Sequence, residues 1–144
     1  MGRLQTESLL ALDVGARRIG VALADASVRF AHPFSTLANS ESIYQEIAAL
    51  VAEQGVTTVV VGLPRGLDGQ ATVQTEAVEA FVDGLKQYLQ VPIAWQDEAL
   101  TSVKAEAELA GRNKRGVYNK SDVDALAATY ILEDYLNEHP RKQT

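Results

Sequence analysis

Three acidic residues stand where an isolated charge is hard to accommodate: Asp13 at the end of the apolar run Leu9-Leu10-Ala11-Leu12, Glu98 in "WQDEAL" after a short strand, and Asp124 in the first turn of a helix opening "SDVDALAA". A strand as apolar as 9–12 is covered on both faces, so a carboxylate at its end must be paired, hydrated, protonated or bound to a cation. If the three acids converge, their repulsion is severe unless divalent cations bridge them, and carboxylate oxygens suit Mg²⁺ or Mn²⁺. A site of that kind is fit for cutting phosphodiester bonds.

Each acid also has a purely structural reading. Asp13 before Gly15 suits a turn residue accepting backbone N–H groups. Glu98, between a strand and a helix, suits the positive end of a helix dipole. Ser121 and Asp124 have capping-box spacing, with Ser121 as N-cap, although Asp124 also lies on a stripe with Ala128, Ile131 and Tyr135 that reads as buried. Taken singly, none of these acids decides between structure and chemistry.

The elements that must position them follow from periodicity and punctuation. Residues 8–14 and 17–24 read as a hairpin around Gly15-Ala16, and 28–37 as a third strand made irregular by Pro33. After Ser40, Ile43, Ile47, Leu50 and Val51 fall at helical spacing, with Gly55 as the stop. "VTTVVVGLP" is a buried strand, and Val73, Ala77, Phe81, Leu85 and Tyr88 mark a second helical stripe. "VPIAW" is the last strand, followed by a helix to about Ala110 and a final helix from Ser121. The expected fold is an α/β mixed five-stranded sheet with helices on both faces, in which ligands bind beyond the carboxyl ends of parallel strands.

At 144 residues the chain reads as one domain, 1–144, with 1–7 and 139–144 as flexible tails. The absence of cysteine excludes disulfides, thiolate metal sites and a cysteine nucleophile. No segment reaches the roughly 18 apolar residues that a membrane span needs, so the expected setting is the cytoplasm and no membrane partner is expected. A net charge of −6 argues against a broad electrostatic grip on nucleic acid. The basic residues are instead local: Arg17 and Arg18, Arg65, and the group Arg112, Lys114, Arg115 and Lys120 in "GRNKRGVYNK". They suit contacts to flanking phosphates, or else a solvated patch. Tyr118 could stack on a base or anchor its loop, and Asp68 suits an outer-shell role or an ordinary loop.

The segments "ALDVGARRIGVALAD", "VVVGLPRGLDG", "DEALTSVKAE" and "KSDVDALAATYILEDYL", in that order, resemble the YqgF or RuvX family, whose members are described as Holliday-junction resolvases and as pre-16S rRNA nucleases. The resemblance runs from about Leu9 to Leu136 and implies a ribonuclease H-like fold with an acidic site of Asp13, Glu98 and Asp124. It further implies a two-metal Mg²⁺ or Mn²⁺ nuclease acting on structured or single-stranded RNA, branched DNA or both, as a monomer or homodimer. Ala99 departs from the arginine that the family commonly carries after Asp-Glu, which removes a phosphate contact but no metal ligand. Asp122 lies near Asp124 but not at the spacing of the fourth acid in RuvC-type resolvases. Two other classes stay open: a non-catalytic RNA- or ribosome-binding module, and an actin-like nucleotide-binding protein, whose two-lobed members are much longer.

Overall fold

The computed structural model describes residues 7–65, 69–98 and 120–140. Strands β1 (Ser8–Val14) and β2 (Arg18–Asp25) form the expected hairpin, and β3 (Ala31–Ala38) pairs antiparallel with β2. Helix α1 (Ile43–Glu53) leads to β4 (Val56–Pro64), helix α2 (Val73–Leu85) with a short 3-10 turn leads to β5 (Ile93–Glu98), and helix α3 (Lys120–Glu138) closes the fold. The sheet order is β3-β2-β1-β4-β5, with β1, β4 and β5 mutually parallel. The expected helix after β5 lies outside the described residues.

Alternation sends the strand side chains to two different layers. Leu10, Leu12, Val21, Val59 and Val61 meet α1 and α2 through Ile43, Ile47, Val78, Val82 and Leu85. On the opposite face Leu9, Ala11, Ala22, Ala24 and Val60 meet α3 through Ala128, Ile131, Leu132 and Leu136. Helices thus cover both faces, which is why β1 and β4 carry near-continuous apolar runs.

The α3 layer is thin because both sides of it are small. Along β2 the residues facing α3 are Gly20, Ala22 and Ala24, and α3 answers with Ala125 and Ala128. At Gly20 a Cβ would fall inside the backbone carbonyl of Asp124. Glycine here is a requirement of close approach, and it sets the depth at which Asp124 enters the sheet.

Three local expectations are corrected. The buried stripe of α2 is Thr75, Val78, Val82 and Leu85, whereas Val73 is 85% exposed. Thr72 caps the helix in a reciprocal box with Thr75, and Thr75 Oγ1 also donates to the carbonyl of Pro64, which turns Val73 outward. In β5 the parallel ladder with β4 continues through Pro64 and Glu98, so Glu98 lies within the strand and not beyond it. Helix α3 begins at Lys120, which places Ser121 inside it and removes Ser121 as N-cap.

The irregularity expected of the third strand is a bulge. Val21 faces Ser35 while Ala22 faces Pro33, which leaves Phe34 unpaired in the register where proline supplies no N–H. His139, at the start of the expected tail, stacks on Tyr135 at a centroid distance of 4.1 Å, and its carbonyl accepts from Arg29 Nη2.

Replacing Gly20 by alanine forces α3 away from β2. Gly20→Ala is expected to lose about 1–3 kcal/mol of stability, read as a lower midpoint in urea unfolding.

Candidate functional site

Asp13 shares the α3 face of the sheet with Leu9 and Ala11, pairs across the hairpin with Gly20, and is only partly exposed. It therefore sits in a strand ladder and not in a turn. The turn itself is held from several sides: Gly15 N–H donates to the Arg18 carbonyl at 2.9 Å, Asn39 Nδ2 to the Gly15 carbonyl at 2.9 Å, Asn39 N–H to the Arg17 carbonyl at 2.9 Å, and Gln74 Nε2 to the Val14 carbonyl at 3.3 Å. A hairpin end clamped in this way gives Asp13 and Arg18 defined positions.

Glu98 reaches Asp13 across β4. Neighbouring strands lie about 4.8 Å apart, so β1 and β5 are separated by roughly twice that distance. The residue that β4 presents in the gap is Gly62, where a methyl group would sit 2.9 Å from Glu98 Oε2. With no side chain there, a side-chain hydrogen bond joins the carboxyl groups of Asp13 and Glu98. Gly62 is a site-forming residue that the sequence reading passes over, because a glycine near the end of a strand looks like ordinary punctuation.

Burial, the hydrogen bond to Glu98 and the charges of Glu98 and Asp124 together push Asp13 from 3.8 up to about 9. Burial is the largest cause, and the two acids add to it. The three candidate acids therefore do interact, although they come from the first strand, the last strand and the last helix.

Asp124 also has a counter-charge. Arg18 Nε donates to its Oδ2 at 2.6 Å, with the two side chains 36% and 22% exposed. The cap expected for Asp124 is replaced by this long-range pair, which ties the start of β2 to the start of α3. Among the described residues no group of three or more Asp, Glu or His side chains is already arranged to hold a metal ion. The donor chemistry nevertheless fits one. The hydrogen-bonded carboxyl groups of Asp13 and Glu98, with the charge of Asp124 felt at Asp13, offer the hard oxygen donors that a divalent cation would take.

The remaining basic candidates are dispersed. Arg17 is exposed at the hairpin tip. Arg65 donates from Nε to Asp97 Oδ1 at 3.2 Å and from Nη1 to the Gly69 carbonyl at 3.2 Å, so it ties Gly69 to the end of β5 beside Glu98. Lys120 opens α3. Asp122 is exposed in the same turn. Arg112, Lys114, Arg115, Tyr118, Asp68 and Ala99 lie outside the described residues. No described helix is long and apolar enough to cross a membrane.

Residues 7–138 match the family described as "RuvX: Holliday junction resolvase". A protein of Chloroflexus aggregans named "Putative pre-16S rRNA nuclease" is 43% identical over 136 residues, covering 93% of this chain and 96% of its own. One of Crocosphaera subtropica with the same name is 41% identical over 133 residues, covering 91% and 93%. Among solved structures, RuvC of Thermus thermophilus aligns with 92% of this chain and 95% of its own at a TM-score of 0.52 and 14% identity. The Fowlpox virus resolvase, solved with Holliday junction DNA, aligns with 93% and 99% at a TM-score of 0.54 and 10% identity. At such identities the likeness is one of fold, and it bears out the ribonuclease H-like sheet.

The raised Asp13 has a thermodynamic consequence. Between about pH 4 and 9 the folded protein holds a proton on Asp13 that the unfolded chain has released, so this group's contribution to stability falls as pH rises through that window. Asp13→Asn, a neutral mimic of the protonated acid, removes the dependence. In EDTA the variant is expected to gain stability relative to wild type as pH goes from 5 to 9. Parallel melting curves of the two proteins would contradict the assignment.

Proposed function

Because this chain belongs to the RuvX family, we propose that it is a divalent-metal-dependent nuclease hydrolysing phosphodiester bonds, in pre-16S rRNA processing, Holliday junction resolution or both. Asp13, Glu98 and Asp124 are its catalytic and metal-holding residues. The observation that carries this reading is that Asp13 on β1 shares a hydrogen bond with Glu98 on β5 and feels the charge of Asp124 on α3, whose backbone packs on Gly20, the cross-strand partner of Asp13. A site built only for stability has no reason to gather three acids where burial opposes their charge.

In this reading Asp13, Glu98 and Asp124 would together hold the Mg²⁺ or Mn²⁺ ions. When bound, the ions supply acidity for the attacking water and positive charge for the departing 3′-oxygen of an in-line displacement. The chain's own part is to fix the oxygens. Gly62 leaves Glu98 room to reach Asp13, and Gly20 sets the depth of Asp124. Arg17, Arg65 and Lys120, with Arg112, Lys114 and Arg115, contact flanking phosphates and set position without reading sequence. The net charge of −6 supports a local contact to RNA better than a broad clamp on duplex, and a cysteine-free chain suits the cytoplasm.

The test is cleavage of a labelled precursor-like RNA and a labelled four-way DNA junction, side by side, in Mg²⁺, Mn²⁺ or EDTA. Wild type is expected to cut at least one substrate only with metal. Asp13→Asn, Glu98→Gln and Asp124→Asn are each expected to lose on the order of 10²-fold or more in rate, as when one group of a cooperating set is removed. Gly62→Ala, whose methyl group would press on Glu98 Oε2 and Ile131, is expected to lose about tenfold. Equal cutting by the Asp13 variant, or binding without cutting by wild type, would favour a binding module.

A further inference from the structure

We propose that Arg18 is a positioning residue whose guanidinium neutralises Asp124 in the free protein and is taken over by a phosphate of the nucleic acid, so that substrate binding releases Asp124 to the metal. The inference rests on the nuclease reading above. It starts from the ion pair itself: Arg18 Nε lies 2.6 Å from Asp124 Oδ2, on a carboxylate that the site needs. As long as that contact persists, one oxygen of Asp124 is directed at a cation of the protein's own.

The surroundings show that the pair can be opened from solvent. It borders an open pocket of about 360 Å³ lined by Gly15, Ala16, Arg17, Arg18 and Asp124. The side chain of Arg18 is 36% exposed, and Arg17 stands exposed beside it, so a phosphodiester entering the pocket meets two guanidinium groups. A phosphodiester offers two oxygens sharing one negative charge to the planar fork of arginine and forms a bidentate pair, stronger than the single Nε contact to a carboxylate. The clamped turn holds the backbone of residues 15–18, so the exchange requires only a side-chain rotation.

Once Arg18 has turned to the phosphate, Asp124 faces Asp13 and Glu98 without compensation, and three converging acids attract a divalent cation more strongly than two acids and a neutralised third. Metal and substrate then favour each other, and by linkage the coupling is equal in both directions. The protein gains a site that charges with metal mainly when nucleic acid is present.

The experiment measures two affinities in wild type, Arg18→Gln and Arg18→Lys: Mn²⁺ by calorimetry without nucleic acid, and a labelled single-stranded oligonucleotide by anisotropy in EDTA, where no cleavage occurs. Arg18→Gln is expected to bind Mn²⁺ about tenfold more tightly and the oligonucleotide several-fold more weakly, with Arg18→Lys between wild type and Arg18→Gln for both. A tie that merely held β2 to α3 would loosen the site and weaken both affinities. Mn²⁺ affinity unchanged or lowered in Arg18→Gln and Arg18→Lys would overturn the proposal, and the lysine variant, which keeps the alkyl stem and a charge, guards against a glutamine variant that fails to fold. Asp13→Asn separates the two readings. If wild type binds Mn²⁺ no better than this variant, the metal site itself fails. If Mn²⁺ binding depends on Asp13 but ignores position 18, only the role of Arg18 falls.

Discussion

The repulsion among Asp13, Glu98 and Asp124 is the constraint to which the rest of the site answers. Carboxylates in a partly buried, low-dielectric setting cannot all be charged without compensation, and the free protein meets this in two ways. Burial, with a hydrogen bond to Glu98, raises Asp13 to about 9, and Arg18 offsets the charge of Asp124. Both devices are exchangeable. On the proposed reading a proton would give way to a metal ion and a guanidinium would turn to a phosphate.

Bringing the acids together depends on what is missing from the side chains around them. Gly20 admits the backbone of Asp124 to the surface of β2, and Gly62 clears the span over β4 that separates Asp13 from Glu98. The alanines of β2 and α3 make the layer thin, so that Asp124, near the start of a long helix, packs on the strand pair that carries Asp13. The other layer is built of large residues, Leu10, Leu12, Ile47, Leu85 and the β4 valines, and supplies most of the apolar burial. Both faces carry an apolar core, and the α3 face also holds the acidic residues at its end.

The hairpin turn links the two faces. Hydrogen bonds from Asn39 at the end of β3 and Gln74 in the first turn of α2 reach carbonyls at Gly15, Arg17 and Val14, so elements outside the hairpin hold the loop that presents Arg17 and Arg18. Arg65, bonded to Asp97 and Gly69, performs a similar service at the far side of the site, where β4 and β5 end together.

Much of this was legible in the residues alone. Alternation and β-branched content specify five strands, helical spacing specifies α1 and α3, and the three acids stand out because each interrupts an apolar pattern at an element's end. The partners were not legible. Local rules read Ser121 as the cap beside Asp124, yet the group that engages Asp124 is Arg18, 106 positions away. Glu98 looked like a helix start because nothing in "WQDEAL" tells how far a parallel ladder runs, and Val73 looked buried because the Thr72 and Thr75 box that rotates α2 leaves no mark in hydropathy. The sequence by itself determined the elements, their layers and the acids at their ends, since these follow from periodicity and from the cost of burying charge. Only the tertiary structure decided which charges meet and what lies between them, since that depends on strand order, register and the space left by two glycines, none of which is encoded within reach of a single segment.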